Sequence, residues 1–428
     1  METRTPLHVK LFSLLLALYP VQLGMHFWPM WSMVLGRKID YLAPTMYFTD
    51  LLVGILCVVW FAEARPIAAF VHASQKPFRS VFGVVLLFGV AAINCYFSVS
   101  PLRSVYMWMK IAEYALLGWY VASTRPGFSD ILRPLSVALV YESAIGICQF
   151  FLQRSIGGVF WYLGERTFDI TTPGIARLGW CIPHLGNCRE LLRAYGTFPH
   201  PNVLGGFLAV IIIMALMELF VHNVRDAAHR WYYAGSVILG CAALVVSFSR
   251  SAWTILLVGV FLLPFLVIAT RKFGRGMHTA LFVLALCLVI LSPLFRMPTF
   301  ITEESALTRN ALMSEGWTLF RRAPMTGVGL GSFIAGYAVP YVARQVYVLQ
   351  PIHNVYLLWL VETGLVGFGI LLYAVCRIFS PLVNVSLGRI EWQYLLLLTL
   401  GLGLVDHYII TLQQGQLLLT LLISLSLF

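Results

Sequence analysis

Charge is scarce in this chain: only 11% of its 428 residues are Asp, Glu, Lys or Arg, while 60% are hydrophobic. So little charge cannot cover a soluble globule of this length, and a mean hydropathy of +0.84 excludes the ordinary soluble classes. The composition is that of a polytopic membrane protein surrounded by membrane lipids, and it offers no nucleic-acid partner. Lysine is scarcer still, with five among 29 basic residues. A cleavable signal is also missing: Arg4 and Lys10 precede an apolar stretch longer than a signal peptide's, without a small-residue cleavage site, so the first segment is expected to remain as an anchor. Neither internal repeats nor helices interrupted at matched positions stand out, which argues against a flippase or transporter.

What is present is a series of apolar runs near 20 residues long. They predict an all-α fold of about twelve membrane helices forming a single domain over 1–428. The runs fall at 11–33, 44–62, 80–99, 102–122, 131–152, 202–221, 232–248, 251–269, 278–295, 353–376, 392–410 and 413–428. Pro20 and Pro29 make the first either a kinked helix or a helix with an interfacial tail.

Basic residues resist translocation, so their placement in short loops orients the chain. With a cytoplasmic amino terminus, the inner segments hold fourteen Lys and Arg, from Arg4 and Lys10 to Arg377 and Arg389, against four in the short outer loops, Arg37, Lys38, Arg103 and Arg250. Both termini are therefore expected inside. Two long connections, 153–201 and 296–352, fall outside and are expected to carry short helices. Their ten basic residues are all Arg: Arg154, Arg166, Arg177, Arg189 and Arg193, then Arg296, Arg309, Arg321, Arg322 and Arg344. A guanidinium grips phosphate in two places where an ammonium offers a point charge. The set suggests a phosphate or diphosphate ligand, or pairing with lipid headgroups.

Four stretches carry candidate chemistry. In Gln350–Gly367, His353 and Asn354 follow Pro351 at the head of an apolar run. His353 is either a base meeting substrate at the membrane surface or an interfacial anchor. In Arg193–Ala209, Pro199 to Asn202 force an extended turn, Asn202 is placed to cap the next helix, and Gly205 with Gly206 permit close approach of a helix or ligand. The helix start itself suits an anion, with His200 and Arg193 beside it. Arg250, flanked by Ser249 and Ser251 in a short turn, faces water or a bound anion. Around Arg309, the residues Ala306, Met313, Trp317 and Phe320 share a helical face, which predicts an amphipathic helix over 302–322 lying on the membrane. The glycines of 327–333 read as a tight turn bringing the loop back.

Cys181 and Cys188 flank His184 in the first long loop, and their spacing suits a small disulfide loop or a Cys/His metal site. Cys57, Cys95, Cys148, Cys241, Cys287 and Cys376 lie in apolar runs and read as packing residues. Asp406, His407, Gln413 and Gln414 form an unexplained polar cluster near the carboxyl end, open to a place in a transport pathway or in acceptor binding.

Taken together and in order, RAYGTFPHPN, SRSAW, RNALMSEGW, APMTGVGLGSF and HNVYLLWLVETGLVG resemble the O-antigen ligase and O-antigen polymerase superfamily of bacterial envelope glycosyltransferases. The ligases carry His, then Asn, Ser or Gln, nine residues, Gly, two residues, and Gly, Thr or Tyr; His353, Asn354, Gly364 and Gly367 fit this pattern. The resemblance covers 190–376 by motif and the whole chain by helix count and loop placement. It implies inverting, cofactor-free and metal-independent glycosyl transfer at the periplasmic face of the bacterial inner membrane. The donor would be a glycan on undecaprenyl diphosphate, and the acceptor a hydroxyl of lipid A-core or a similar glycolipid. It implies His353 as the base, Arg250, Arg193 and Arg309 on the diphosphate, and His200, Asn202, Asn354 and Gly364 at the substrate. The two long loops lack an Asp-x-Asp metal motif, in keeping with this. A polymerase or a protein O-oligosaccharyltransferase would share these motifs, and the fit of the histidine pattern favours the ligase.

Overall fold

The computed structural model describes residues 5–64, 77–181, 188–222, 224–272, 303–341, 349–379 and 387–427. The expected span at 278–295, and with it His184, Arg296 and Arg344, lies outside them. The fold is mostly helical. In chain order come α1 (Leu7–Ala17), α2 (Phe48–Ala64), α3 (Pro77–Tyr96), α4 (Pro101–Thr124), α5 (Phe128–Leu152), α6 (Pro201–Met217) and α7 (Ala227–Ser247). They are followed by α8 (Arg250–Lys272), α9 (Glu303–Arg322), α10 (Phe333–Tyr341), α11 (Val355–Phe379), α12 (Leu387–Leu402), α13 (Tyr408–Thr411) and α14 (Gln413–Ser426). Among the described residues four helices are long and apolar enough to cross a membrane: α5, α6 with its π-helical extension to His222, α7 and α11. Three shorter apolar helices join them, at Leu7–Ala17, Val85–Tyr96 and Arg250–Phe265. The count of twelve expected spans is thus not reached among these residues. α4 has the length but carries Arg103, Lys110 and Glu113.

The bundle is built around α6. This helix is apolar on every side and almost wholly buried, as an all-apolar helix must be when other helices surround it. α5, α7, α8 and α12 pack against it. Gly205 and Gly206 make this possible: a Cβ at Gly205 would stand 2.6 Å from the Ser249 Cβ, and one at Gly206 would run into the Tyr408 hydroxyl. The close approach expected from these glycines is therefore made by protein, at the α7–α8 turn and at α13.

Three expectations are corrected. The first span, expected over 11–33, ends at Ala17, and Pro20 and Pro29 lie in the extended chain that follows. That chain forms two antiparallel pairs, β1 (Gly24–His26) with β4 (Thr45–Tyr47), and β2 (Met33–Val34) with β3 (Arg37–Lys38). The first long loop carries one 3-10 helix, Gly158–Leu163, and otherwise a hairpin of β5 (Arg177–Cys181) and β6 (Cys188–Leu192), whose register makes Cys181 and Cys188 Cα partners. The span expected over 392–410 stops at Leu402, where Gly403 turns its carbonyl to the Val355 N–H at 2.8 Å and the chain runs irregularly through Asp406 to the short α13.

A further break lies inside α11, where the sequence suggested an uninterrupted helix. Gly364 sits at φ 66° and ψ −171°, a conformation essentially reserved for glycine. The glycine turn after α9 fills the gap. The Val361 and Glu362 carbonyls accept from the N–H groups of Val328 and Gly329 at 3.0 Å each, and Leu365 N–H donates to the Pro324 carbonyl at 2.9 Å. α9 forms over the expected residues. Met313 and Trp317 are exposed on it, while Leu312, Gly316 and Leu319 are buried and the helix packs along α11.

Candidate active site

Both long connections, the chain before α2 and the break between α12 and α14 meet around one cavity of about 760 Å³. His353, Asp406 and His407 lie on its wall with His200, Asn202, Arg309, Arg166 and Tyr41. His353 is held two residues ahead of α11 by the cap beside it. Asn354 Oδ1 accepts from Leu357 N–H at 2.9 Å, and its Nδ2 donates to the Leu404 carbonyl at 3.2 Å. That second bond, with the one from Val355 to Gly403, fastens the start of α11 to the segment bearing Asp406. His353 and His407 stand edge to face with ring centroids 4.9 Å apart, and Tyr41 meets His407 in the same way at 5.4 Å.

The carboxylate is held on two sides. Asp406 Oδ2 accepts from Asn202 Nδ2 at 2.9 Å, and Oδ1 accepts from the His407 backbone N–H at 2.8 Å. Thr411 Oγ1 lies 2.7 Å from His407 Nδ1 and 3.1 Å from the His407 carbonyl, and so holds the ring at Nδ1. His353 Nδ1, by contrast, is buried without a hydrogen-bond partner among the described residues.

Asn202 was expected to cap α6, but His200 does so: its Nδ1 accepts from the Asn202 N–H at 3.1 Å. Asn202 instead links Arg193 to Asp406. Arg193 Nη2 donates to Asn202 Oδ1 at 2.9 Å and to the Phe248 carbonyl at 3.2 Å, and its Nε donates to the Ser247 carbonyl at 2.8 Å. Arg193 thus clamps the α7–α8 turn from behind the wall. Arg250 is exposed at the head of α8, outside the cavity lining, and Arg309 lines the cavity. Neither has a side-chain hydrogen bond or ion pair among the described residues.

Two expected substrate contacts are not part of the wall. Asn354 is occupied as cap and tie, and Gly364 is the joint of α11, eleven residues beyond His353. Asp406 and His407 are the reverse case, site residues to which the sequence assigned no catalytic role. Their signal was present as two adjacent polar residues inside an apolar run, where burial demands a partner.

Electrostatics follow from burial and charge. Burial, then His407, pushes the His353 imidazole down to about 3 against the opposing pull of Asp406. Burial and Arg193 bring His200 to about 3, and burial lowers His407 as well. Burial drives the Asp406 carboxyl upward, but His407, His353, His200 and the Asn202 hydrogen bond together hold it well below its ordinary range. Burial lowers Arg193 to about 10, which leaves it cationic at neutral pH. The wall therefore combines neutral imidazoles, an ionised carboxylate and guanidinium groups. The side-chain donors of His353, Asp406 and His407 lie within 4.8 Å of one another, a spacing that a divalent ion could bridge. The carboxylate is already held by Asn202 and the His407 N–H, and Arg309 adds positive charge beside the trio.

The helices define a polytopic membrane protein, and its polar cavity is lined by imidazole, carboxylate and guanidinium groups. Residues 235–372, about a third of the chain, match the model of the O-antigen ligase family, so this part of the chain is similar to that family. The match contains Arg250, Arg309 and His353, and it leaves Arg193, His200, Asn202 and Asp406 outside. No curated protein matches the chain.

Proposed function

We propose that the protein transfers a glycan from undecaprenyl diphosphate to a hydroxyl of a lipid A-core-type glycolipid at the periplasmic face of the inner membrane, with both termini in the cytoplasm. The observation that carries this reading is His353: a neutral imidazole whose Nδ1 lacks a partner among the described residues, on a cavity wall shared with Arg309. The acceptor oxygen attacks the anomeric carbon from the face opposite the leaving group, and its proton passes to His353. The bond from that carbon to the diphosphate oxygen breaks, inverting the centre, and undecaprenyl diphosphate leaves. Arg309, Arg250 and Arg193 stabilise the charge developing on it, the work a metal ion performs in many phosphate-leaving reactions. Asp406 favours the imidazolium formed on His353 and, through Asn202, faces the Arg193 clamp.

The purified full-length protein tests this with a glycan-bearing undecaprenyl diphosphate and a lipid A-core acceptor. His353→Ala is expected to lower transfer by about 10²- to 10⁴-fold while the protein stays folded. Full activity in that variant removes the base. Chain growth on the carrier lipid, with the glycolipid ignored, identifies a polymerase, and transfer to Ser or Thr of a polypeptide identifies a protein O-oligosaccharyltransferase.

A further inference from the structure

A second cavity of about 510 Å³ runs from the polar one between α4, α11 and α14. Its wall is mostly apolar, with Ile111, Ala115, Trp119, Leu358, Leu419 and Ile423 along it. The two cavities share Tyr41, Arg103, Met107, Lys110, Thr411 and Gln416, so they adjoin one another at these residues. The charges at this junction are unequal in their commitments. Lys110 is neutralised by Asp50 at 2.6 Å and Glu113 at 2.7 Å. Arg103 is only 7% exposed and, among the described residues, has no carboxylate within ion-pair distance. It donates from Nη2 to the Tyr41 carbonyl at 2.7 Å and from Nη1 to the Ala43 carbonyl at 3.5 Å, and its Nε is buried without a partner. Gly331 keeps space at that nitrogen, because a Cβ there would stand 3.0 Å from Arg103 Nε and 2.6 Å from Met107 Cγ. Glu362, the other carboxyl on the groove, is turned to the Phe333 N–H at 3.1 Å.

A buried guanidinium with an unfilled donor is costly unless a ligand completes it. We propose that Arg103 and the groove between α4, α11 and α14 form the subsite for the acceptor lipid, Arg103 taking an anionic headgroup phosphate and the groove an acyl chain. This rests on the transfer reaction proposed above. That reaction needs two lipid-borne substrates at one base, and in the donor the diphosphate is bonded directly to the reacting carbon. The donor phosphates therefore belong with Arg309, Arg250 and Arg193, which influence one another electrostatically. Arg103 stands instead where the polar cavity adjoins the apolar one, its guanidinium 5.1 Å over the Tyr106 ring. The apolar groove beside it is left for the other substrate, whose reacting hydroxyl is separated from its phosphates by sugars.

Binding decides this independently of catalysis. Native mass spectrometry of the full chain would use two probes, a phosphorylated hexa-acyl lipid A and undecaprenyl diphosphate, with wild type, Arg103→Gln and Ala115→Trp. Wild type is expected to hold both lipids at once. Each variant is expected to lose about tenfold in lipid A affinity while binding undecaprenyl diphosphate as wild type does. Retained undecaprenyl diphosphate binding also certifies that the variants are folded. Weakened undecaprenyl diphosphate binding would assign the groove to the donor chain, and unchanged affinities or competition of the two probes for one place would overturn the proposal. Failure of His353→Ala to impair transfer would instead strike the catalytic reading and leave these affinities untouched.

Discussion

At the scale of single residues, the centre is a neutral imidazole made useful by its neighbours. Asp406→Asn keeps the Asn202 contact and removes the charge that favours protonated His353, so kcat is expected to fall about 10²-fold with little change in thermal midpoint. Steady-state kinetics beside a melting curve check this, and loss of fold rather than of rate would make Asp406 a structural residue. The pH dependence has a definite sign. A base must be unprotonated, so activity is present above the His353 pKa and lost as pH falls through it. Burial and nearby positive charge depress that pKa in the empty site, whereas a bound diphosphate supplies negative charge and raises it. The acid limb of kcat is therefore expected at higher pH than that of kcat/KM, and coincident limbs in the two profiles would contradict the assignment. The prominence of His353 was legible in its position behind Pro351. Asp406 was given no catalytic role because it fell inside the helix expected over 392–410. The bond that ends it, from Val355 N–H, comes from 48 positions away in sequence.

At the scale of elements, the same motif reads differently in three dimensions. The spacing from His353 to Gly364 resembled a row of substrate contacts, yet it measures the length of helix between a cap and a joint. A Cβ at Gly364 would overlap the Met325 carbonyl, and the backbone conformation alone costs a non-glycine residue about 1–3 kcal/mol. Gly364→Ala is expected to lower the thermal midpoint and the yield of folded protein, with the KM of the surviving fraction unchanged. A raised KM at normal stability would return this glycine to the substrate. α9 was legible because its periodicity is local. Its inward face, Leu312, Gly316 and Leu319, was not, since only contact with α11 tells that side from the exposed Met313 and Trp317.

At the scale of the whole molecule, composition alone placed the chain in a membrane, because a deficit of charge needs no tertiary knowledge to interpret. The count of spans was harder. α4 hides three charged residues inside a long helix, and α1 gives way after 11 residues to paired strands. Which loops meet is a property of packing, and this made the cavity illegible although His200, Asn202, Arg309 and His353 on its wall were named. The trio of His353, Asp406 and His407 gives the remaining test at this scale. Transfer by the purified protein is expected to survive exhaustive treatment with EDTA; loss restored by adding back a divalent ion would make the trio a metal centre.

The start of α11 and the segment after α12 are tied by two hydrogen bonds, from Val355 to Gly403 and from Asn354 to Leu404. His353 and Asp406 therefore ride on one fixture, while much of the remaining rim, including Gln22, His26, Asp40, Arg166 and Gly174, comes from connecting chain. Such a division separates inheritance of chemistry from inheritance of taste. Substitutions can accumulate along the rim and retune which sugar is welcomed, generation after generation, while the reacting pair stays in register.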